Sequence, residues 1–262
     1  MKKFLLSLFI LFASCTSVFA DTTKSIKFVQ VTDAHLSTTS DYSQKVLKSA
    51  IKDINTLSDL SFVVFTGDNI NSPKEENLKT FLKIVKKLKV PYYIAVGDHD
   101  VYKANGLSKV RYYDMIHEHK WSMFRHQQNF SFKKKGFLFL IVDGAKEIIP
   151  GSVGYYREDT ILWLDDKLDD YKNKNVVIFQ HYPIIPPAKR ETHYTYKAVE
   201  YLKLLSEHKN VKAVFAGHIN TNNEKTIDGI LHVSTKDAPN YRVVDILDYE
   251  TENPTFWSTI KD

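Results

Sequence analysis

Hydrophobic and polar positions follow two rhythms along this chain. Short apolar runs such as "IKFVQV" (26–31), "SFVVF" (61–65) and "PYYIAV" (91–96) are rich in branched and aromatic residues and predict strands. Between them the period lengthens. Val46, Leu47, Ala50, Ile51, Ile54 and Leu57 repeat at helical spacing, as do Leu78, Phe81, Leu82, Val85 and Leu88. Ser72-Pro73-Lys74-Glu75 predicts the start of the second helix, with serine as N-cap, proline in the first turn and glutamate at N3. This β-α-β-α-β order calls for strands buried by helices through right-handed crossovers.

The second half is mixed. "FSFK" (130–133) and "FLFLIV" (137–142), separated by Lys-Lys-Gly, predict a hairpin. A helix over 158–171 follows, then a strand "NVVIF" (175–179), a helix near 195–207 and a strand "VKAVFA" (211–216). "GILHVST" (229–235) and "YRVVDIL" (241–247) read as further strands. The expectation is an α/β (α+β) chain with two facing sheets, or one mixed sheet bent on itself, covered by helices. The stretch 101–128 is rich in Tyr, His and Trp, and its length marks it as functional or partly helical.

The polar residues at the strand ends carry the chemistry. The strands end in turn in Thr32-Asp33-Ala34-His35, Thr66-Gly67-Asp68-Asn69, Gly97-Asp98-His99-Asp100, His181, and Gly217-His218-Ile219-Asn220. Open α/β sheets place their ligands at these carboxyl ends. Any one of these ends reads equally as a helix cap or an Asx turn. Five together, four of them with a histidine and three led by glycine, point to convergence on a site.

Composition narrows the chemistry. The chain has 262 residues, 43% hydrophobic and 26% charged, which suits one ordinary domain over 21–262. Residues 1–20 read as a secretory signal peptide: Lys2 and Lys3, an apolar run from Phe4 to Phe12, and Val18-Phe19-Ala20 before cleavage at Asp21. Ala13-Ser14-Cys15 also resembles a lipoprotein processing site, so attachment to a membrane through Cys15 is the minority reading. Either way the protein is exported, to the periplasm or beyond. Cys15 is the sole cysteine, so a metal in the mature domain must be held by oxygen and imidazole. Removing Lys2 and Lys3 from the +5 of the whole chain leaves +3. That excess lies along helix faces such as "KIVKKLK" (83–89), and no nucleic-acid polymer is expected as partner.

In order, "DAH" (33–35), "GDNI" (67–70), "GDHD" (97–100), "HYP" (181–183) and "GHIN" (217–220) resemble the signature of the calcineurin-like metallophosphoesterases. "TILWLDDKL" (160–168) looks like a helix that secreted and cyclic-nucleotide-type members carry. The resemblance implies a four-layer α-β-β-α sandwich of two mixed sheets flanked by helices. It also implies two metal ions, Mn, Fe or Zn, and hydrolysis of a small phosphoester by a metal-bridging hydroxide. By it, Asp33 and His35 bind the first metal, Asp68 bridges, and His181 and His218 bind the second. His99 assists at the leaving group and Asp100 orients it.

Two positions depart from the family pattern. Asp98 stands where the family has Asn, and Asn220 where it has a second His. Both keep a donor oxygen and stay in the expected ligand set. A third carboxylate brings the centre's net charge close to zero, which favours a singly charged diester over a dianionic monoester and holds the second metal firmly. The neutral amide at 220 leaves the first metal labile. The alternative is a degenerate member that binds metal or phosphate without efficient catalysis.

Outside these motifs the signals are weaker. Tyr102, Tyr112, Tyr113 and Trp121 are candidates to stack on a base, and Arg190, His193 and Tyr194 to reach a phosphate or sugar, with plain packing the ordinary reading for each. Asp143 reads as a turn residue.

Overall fold

The computed structural model describes residues 25–104, 106–119, 127–186 and 192–262. The expected signal peptide with Cys15, together with Trp121 and Arg190, lies outside the described residues. Among the described residues eleven strands form two mixed sheets, accompanied by five helices. In chain order they begin β1 (Ile26–Val31), α1 (Asp41–Ile54), β2 (Leu60–Thr66), α2 (Glu75–Val85), β3 (Tyr92–Ala95) and α3 (Lys109–His119). Next come β4 (Phe130–Lys134), β5 (Phe137–Val142), α4 (Glu158–Asp170), β6 (Val176–Gln180) and α5 (Ala198–Glu207). The chain closes with β7 (Val211–Ala216), β8 (Asn223–Ile227), β9 (Ile230–Ser234), β10 (Tyr241–Leu247) and β11 (Thr255–Lys261). One sheet has the order β11-β10-β1-β2-β3 and the other β4-β5-β6-β7-β9-β8.

Period-two alternation explains the layers. On β2, Phe62 and Val64 face the opposite sheet, while Val63 and Phe65 face the helices. On β5, Phe137, Phe139 and Ile141 point to the same inter-sheet core, and Leu138, Leu140 and Val142 to the layer beneath α4 and α5. The inter-sheet core is a phenylalanine cluster. Phe28 stacks on Phe62 at 5.2 Å and meets Phe179 and Phe215 edge-on. Helices α1, α2 and α3 cover the outer face of the first sheet, completing the four layers.

The helical periodicities map onto α1 and α2, whose apolar positions Leu47, Ala50, Ile51, Ile54, Leu78, Phe81, Leu82 and Val85 are all buried. The start of α2 differs from expectation. Its N-cap is Lys74, without a side-chain cap bond. Ser72 is taken by Asn77, whose side-chain amide donates to both the Ser72 carbonyl and its hydroxyl. Ser72 and Pro73 therefore form a turn before the helix. The tyrosines of 101–128 fall partly on α3, where Tyr112 and Tyr113 are buried and closed to any base. Asp143, expected as a turn residue, is a buried partner of Lys109, whose ammonium lies 2.7 Å from its carboxylate.

Candidate metal centre

The loops after β1 and β2 continue side by side beyond the sheet. Asp33 N–H donates to Gly67 O, and His35 N–H to Asp68 O. Asp33, His35, Asp68, His218 and Asn220 all adopt left-handed φ between 39° and 71°. Such backbone costs energy for a side-chain-bearing residue and is concentrated at functional sites. It accompanies the convergence of Asp33, His35, Asp68 and His218 on the crevice above the strand ends, while Asn220 stays exposed. The glycines beside them clear the space: a Cβ on Gly67 would fall 2.5 Å from His181 Nδ1, and one on Gly217 would fall 2.5 Å from Asp33 Oδ2.

The two sheets meet at two imidazoles. His181 Nδ1 lies 2.8 Å from Thr66 O, and His218 Nε2 lies 2.8 Å from Ser152 O. A carbonyl only accepts, so these nitrogens carry the protons and the opposite ones, His181 Nε2 and His218 Nδ1, turn inward. Asp98 Oδ1 sits 3.2 Å from the first and 3.3 Å from the second. Asp68 Oδ1 lies 3.4 Å from His181 Nε2, and its Oδ2 lies 3.8 Å from His35 Nε2. Two donor groups follow, Asp68-Asp98-His181-His218 and His35-Asp68-His99, in each of which the ligand atoms lie within 4.8 Å of one another. Asp68 belongs to both.

Asp33 stands at the edge of this arrangement. Its Oδ2 accepts from Thr32 Oγ1 and from His218 N–H, while its Oδ1 is buried without a hydrogen-bond partner among the described residues, 3.9 Å from His35 Nε2. A buried orphan carboxylate oxygen is costly unless a cation completes it. That orphan, with inward-facing imidazole nitrogens, is a donor set that fits hard to borderline cations. Asn220 is exposed on the turn after β7.

Charge within the site supports the same reading. Burial raises the Asp68 carboxyl, but His181 outweighs it and holds the group below its ordinary value. Asp98, also resisted by burial, is held well below the carboxylate range by bonds to His181 and His218. Burial lowers His181, yet Asp68 and Asp98 raise it well above an ordinary imidazole. The carboxylate charge that favours a proton on His181 is the charge that bound cations would neutralise.

Asp100 is bonded to backbone rather than to the His99 ring. It accepts from Gly97 N–H, Ile70 N–H and the Asn69 amide, which ties the third strand end to the second. Burial and the neighbouring Asp68 push its carboxyl up to about 7. The ring of His99 is instead held through Nδ1 by Asn71 O at 3.1 Å and lies edge-on to His35 at 4.8 Å. Among the described residues Asp100 shapes the loop and acts on His99 through its charge, with no hydrogen bond to the His99 ring. The sequence also left unmarked the carbonyls of Thr66, Asn71 and Ser152, because backbone acceptors have no residue signature. Thr32, which bonds Asp33, was legible only as its neighbour. His193 does approach the site, with its ring 5.0 Å from that of His218.

The profile of the calcineurin-like phosphoesterases matches residues 26–221, and the chain belongs to that family of metal-dependent phosphoester hydrolases. A probable glycerophosphodiester phosphodiesterase of Arcobacter nitrofigilis is 30% identical over 59% of this chain and 56% of its own length. The chain thus matches little more than half of that relative. A probable cyclic nucleotide phosphodiesterase of Colwellia psychrerythraea is 23% identical over 78% of this chain and 74% of its own. Among solved structures, a dimetal phosphatase of Danio rerio superposes with a TM-score of 0.65 at 15% identity, covering 89% of this chain and 98% of that one. At that identity the likeness shows the fold.

Proposed function

We propose that this chain is an exported, dinuclear-metal phosphodiesterase acting on a small phosphoester. The observation that carries the proposal is the sharing of Asp68 between two donor groups. Asp33, His35, Asp68 and Asn220 would hold one cation, and Asp68, Asp98, His181 and His218 the other. When bound, such cations neutralise phosphate charge and acidify a water. The chain's own residues do the rest. Thr66 and Ser152 carbonyls fix the tautomers of His181 and His218. Although burial lowers His99, Asp68 and the Asn71 carbonyl raise it overall, which favours the protonated ring from which a departing alkoxide would take its proton. Water attacks phosphorus directly, so no nucleophilic side chain is needed.

A diester is favoured over a monoester by the third carboxylate, Asp98, which repels a dianion more than a monoanion. The names of the Arcobacter and Colwellia relatives agree. Export rests on the pattern of residues 1–20. Mass spectrometry of the processed protein should find Asp21 at the amino terminus; an acylated Cys15 there would establish the lipoprotein instead.

A second reading is a binding module without turnover. It is favoured by the exposed amide of Asn220 at a position where the family has imidazole. The same fold occurs in a Plasmodium protein described as the anchor in the inner membrane complex, with a TM-score of 0.61. Metal-stripped protein titrated with Mn²⁺ against bis-p-nitrophenyl phosphate separates the two. Turnover that His99→Ala abolishes supports the phosphodiesterase. No turnover with any divalent ion, restored by Asp98→Asn with Asn220→His, supports the module.

A further inference from the structure

Three residues from Ser152 the surface carries exposed aliphatic side chains among charged ones. Ile148 and Ile149 are 70% and 77% exposed, and with Leu162 and Tyr155 they line a cavity of about 740 Å³. Exposed aliphatic side chains grouped around a concavity of that size mark a small-molecule pocket more than a flat interface. The pocket is joined to the metal centre by two segments lying side by side. Gly154 N–H donates to Tyr194 O, and Tyr196 N–H donates to Gly154 O. At one end of this ribbon, Ser152 O contacts His218 Nε2 and the ring of His193 lies 5.0 Å from that of His218. At the other end the rings of Tyr155 and Tyr196 meet at 5.8 Å, and Tyr155 lines the pocket. From Ser152 to Ile149 is three residues, or at most about 10 Å of extended chain.

Resting on the phosphodiesterase reading, we infer that the substrate is amphiphilic: its non-reacting arm is an alkyl or acyl chain lying along this ribbon into the Ile148-Ile149-Leu162 pocket. Water adds at phosphorus, the bond to the leaving oxygen breaks with a proton supplied to it, and the apolar arm stays on the phosphomonoester product. Arg157 and Lys109, also at the pocket, are held by Asp159 and Asp143. With Lys146 the lining carries three cations, matched by the three carboxylates of Glu147, Glu158 and Asp159, so no net positive charge selects an anionic arm.

The test is a series of alkyl p-nitrophenyl phosphates, methyl, butyl and octyl, cleaved by the full processed chain with Mn²⁺. A fully buried methylene contributes about four-fold in affinity, so a partly buried octyl arm should lower KM roughly 30-fold relative to methyl. The double substitution Ile149→Ser with Leu162→Ser should flatten that ratio, while Trp257→Ser, an exposed apolar residue on β11, should leave it intact. Cleavage of all three esters at equal KM overturns the inference and leaves the phosphodiesterase standing. If none is cleaved, the hydrolase reading falls, and calorimetric titration with octyl methyl phosphate against dimethyl phosphate decides the pocket. Preference for the octyl compound supports it, and equal binding overturns it.

Discussion

His181 Nε2 and His218 Nδ1 face each other at 3.1 Å. Two imidazole lone pairs do not rest so close without a positive charge between or on them. Asp98 Oδ1, within 3.3 Å of both, completes a three-cornered cation seat. Asp98→Asn is expected to weaken the tighter of the two Mn²⁺ ions by at least about ten-fold, the scale on which groups around a metal tune its affinity. Calorimetric titration of stripped protein checks this. An unchanged isotherm removes Asp98 from the donor set.

Asn220, exposed at its turn, would contribute a neutral donor in the proposed centre. Imidazole suits Zn²⁺ and Fe²⁺, whereas a carbonyl oxygen suits Mn²⁺. Asn220→His should therefore lower the Zn²⁺ concentration that half-activates hydrolysis by about ten-fold and change the Mn²⁺ requirement less. Two equal affinities in the unsubstituted protein would remove the premise.

Gly217 touches the centre through what it lacks. An added methyl would collide with Thr32 Oγ1 and press on Asp33 Oδ2, the oxygen that also receives His218 N–H. A displacement near 1 Å at a catalytic group costs on the order of 100-fold in rate. Gly217→Ala should lower kcat/KM by that scale. Circular dichroism should still report a folded chain.

His232, on β9, is buried, and burial pulls its imidazole down to about 4. The unfolded chain takes up this proton below about pH 6.5, the folded chain only near pH 4. The unfolded state binds more protons across that window, so stability falls as pH drops from about 6.5 to 4 and then levels off. The full effect is on the order of 3 kcal/mol. Comparing Tm against pH for the protein and for His232→Phe isolates it. Parallel curves would show that His232 is not buried neutral.

Phe28 anchors the inter-sheet cluster, so Phe28→Ala should cost about 3–5 kcal/mol. Urea denaturation measures it, and a loss below 1 kcal/mol would mean the two sheets do not share this core.

What the sequence disclosed tracks what local pattern encodes. α1 and α2 were legible because one apolar stripe packs each against a sheet. β8 and β11 were not. β8 is a polar edge strand, and β11 alternates only between exposed and half-buried positions, so each is made a strand by its neighbour's hydrogen bonds. The strand-end acids and histidines named the centre because side-chain type carries the chemistry. The role of Asp100 misled for the opposite reason: its partners are the backbone N–H groups of Gly97 and Ile70, which a sequence does not display.

The left-handed turns at positions 33, 35, 68, 218 and 220 have a further consequence. Asp, Asn and His are among the side-chain-bearing residues that accept this backbone most readily, and they are also oxygen and nitrogen donors. The set of residues the geometry tolerates is thus nearly the set a metal accepts. One donor can replace another at such a turn without rebuilding the loop, as Asn220 illustrates. With these residues as ligands, metal preference in this scaffold would be adjustable one codon at a time, with the frame of strands left untouched.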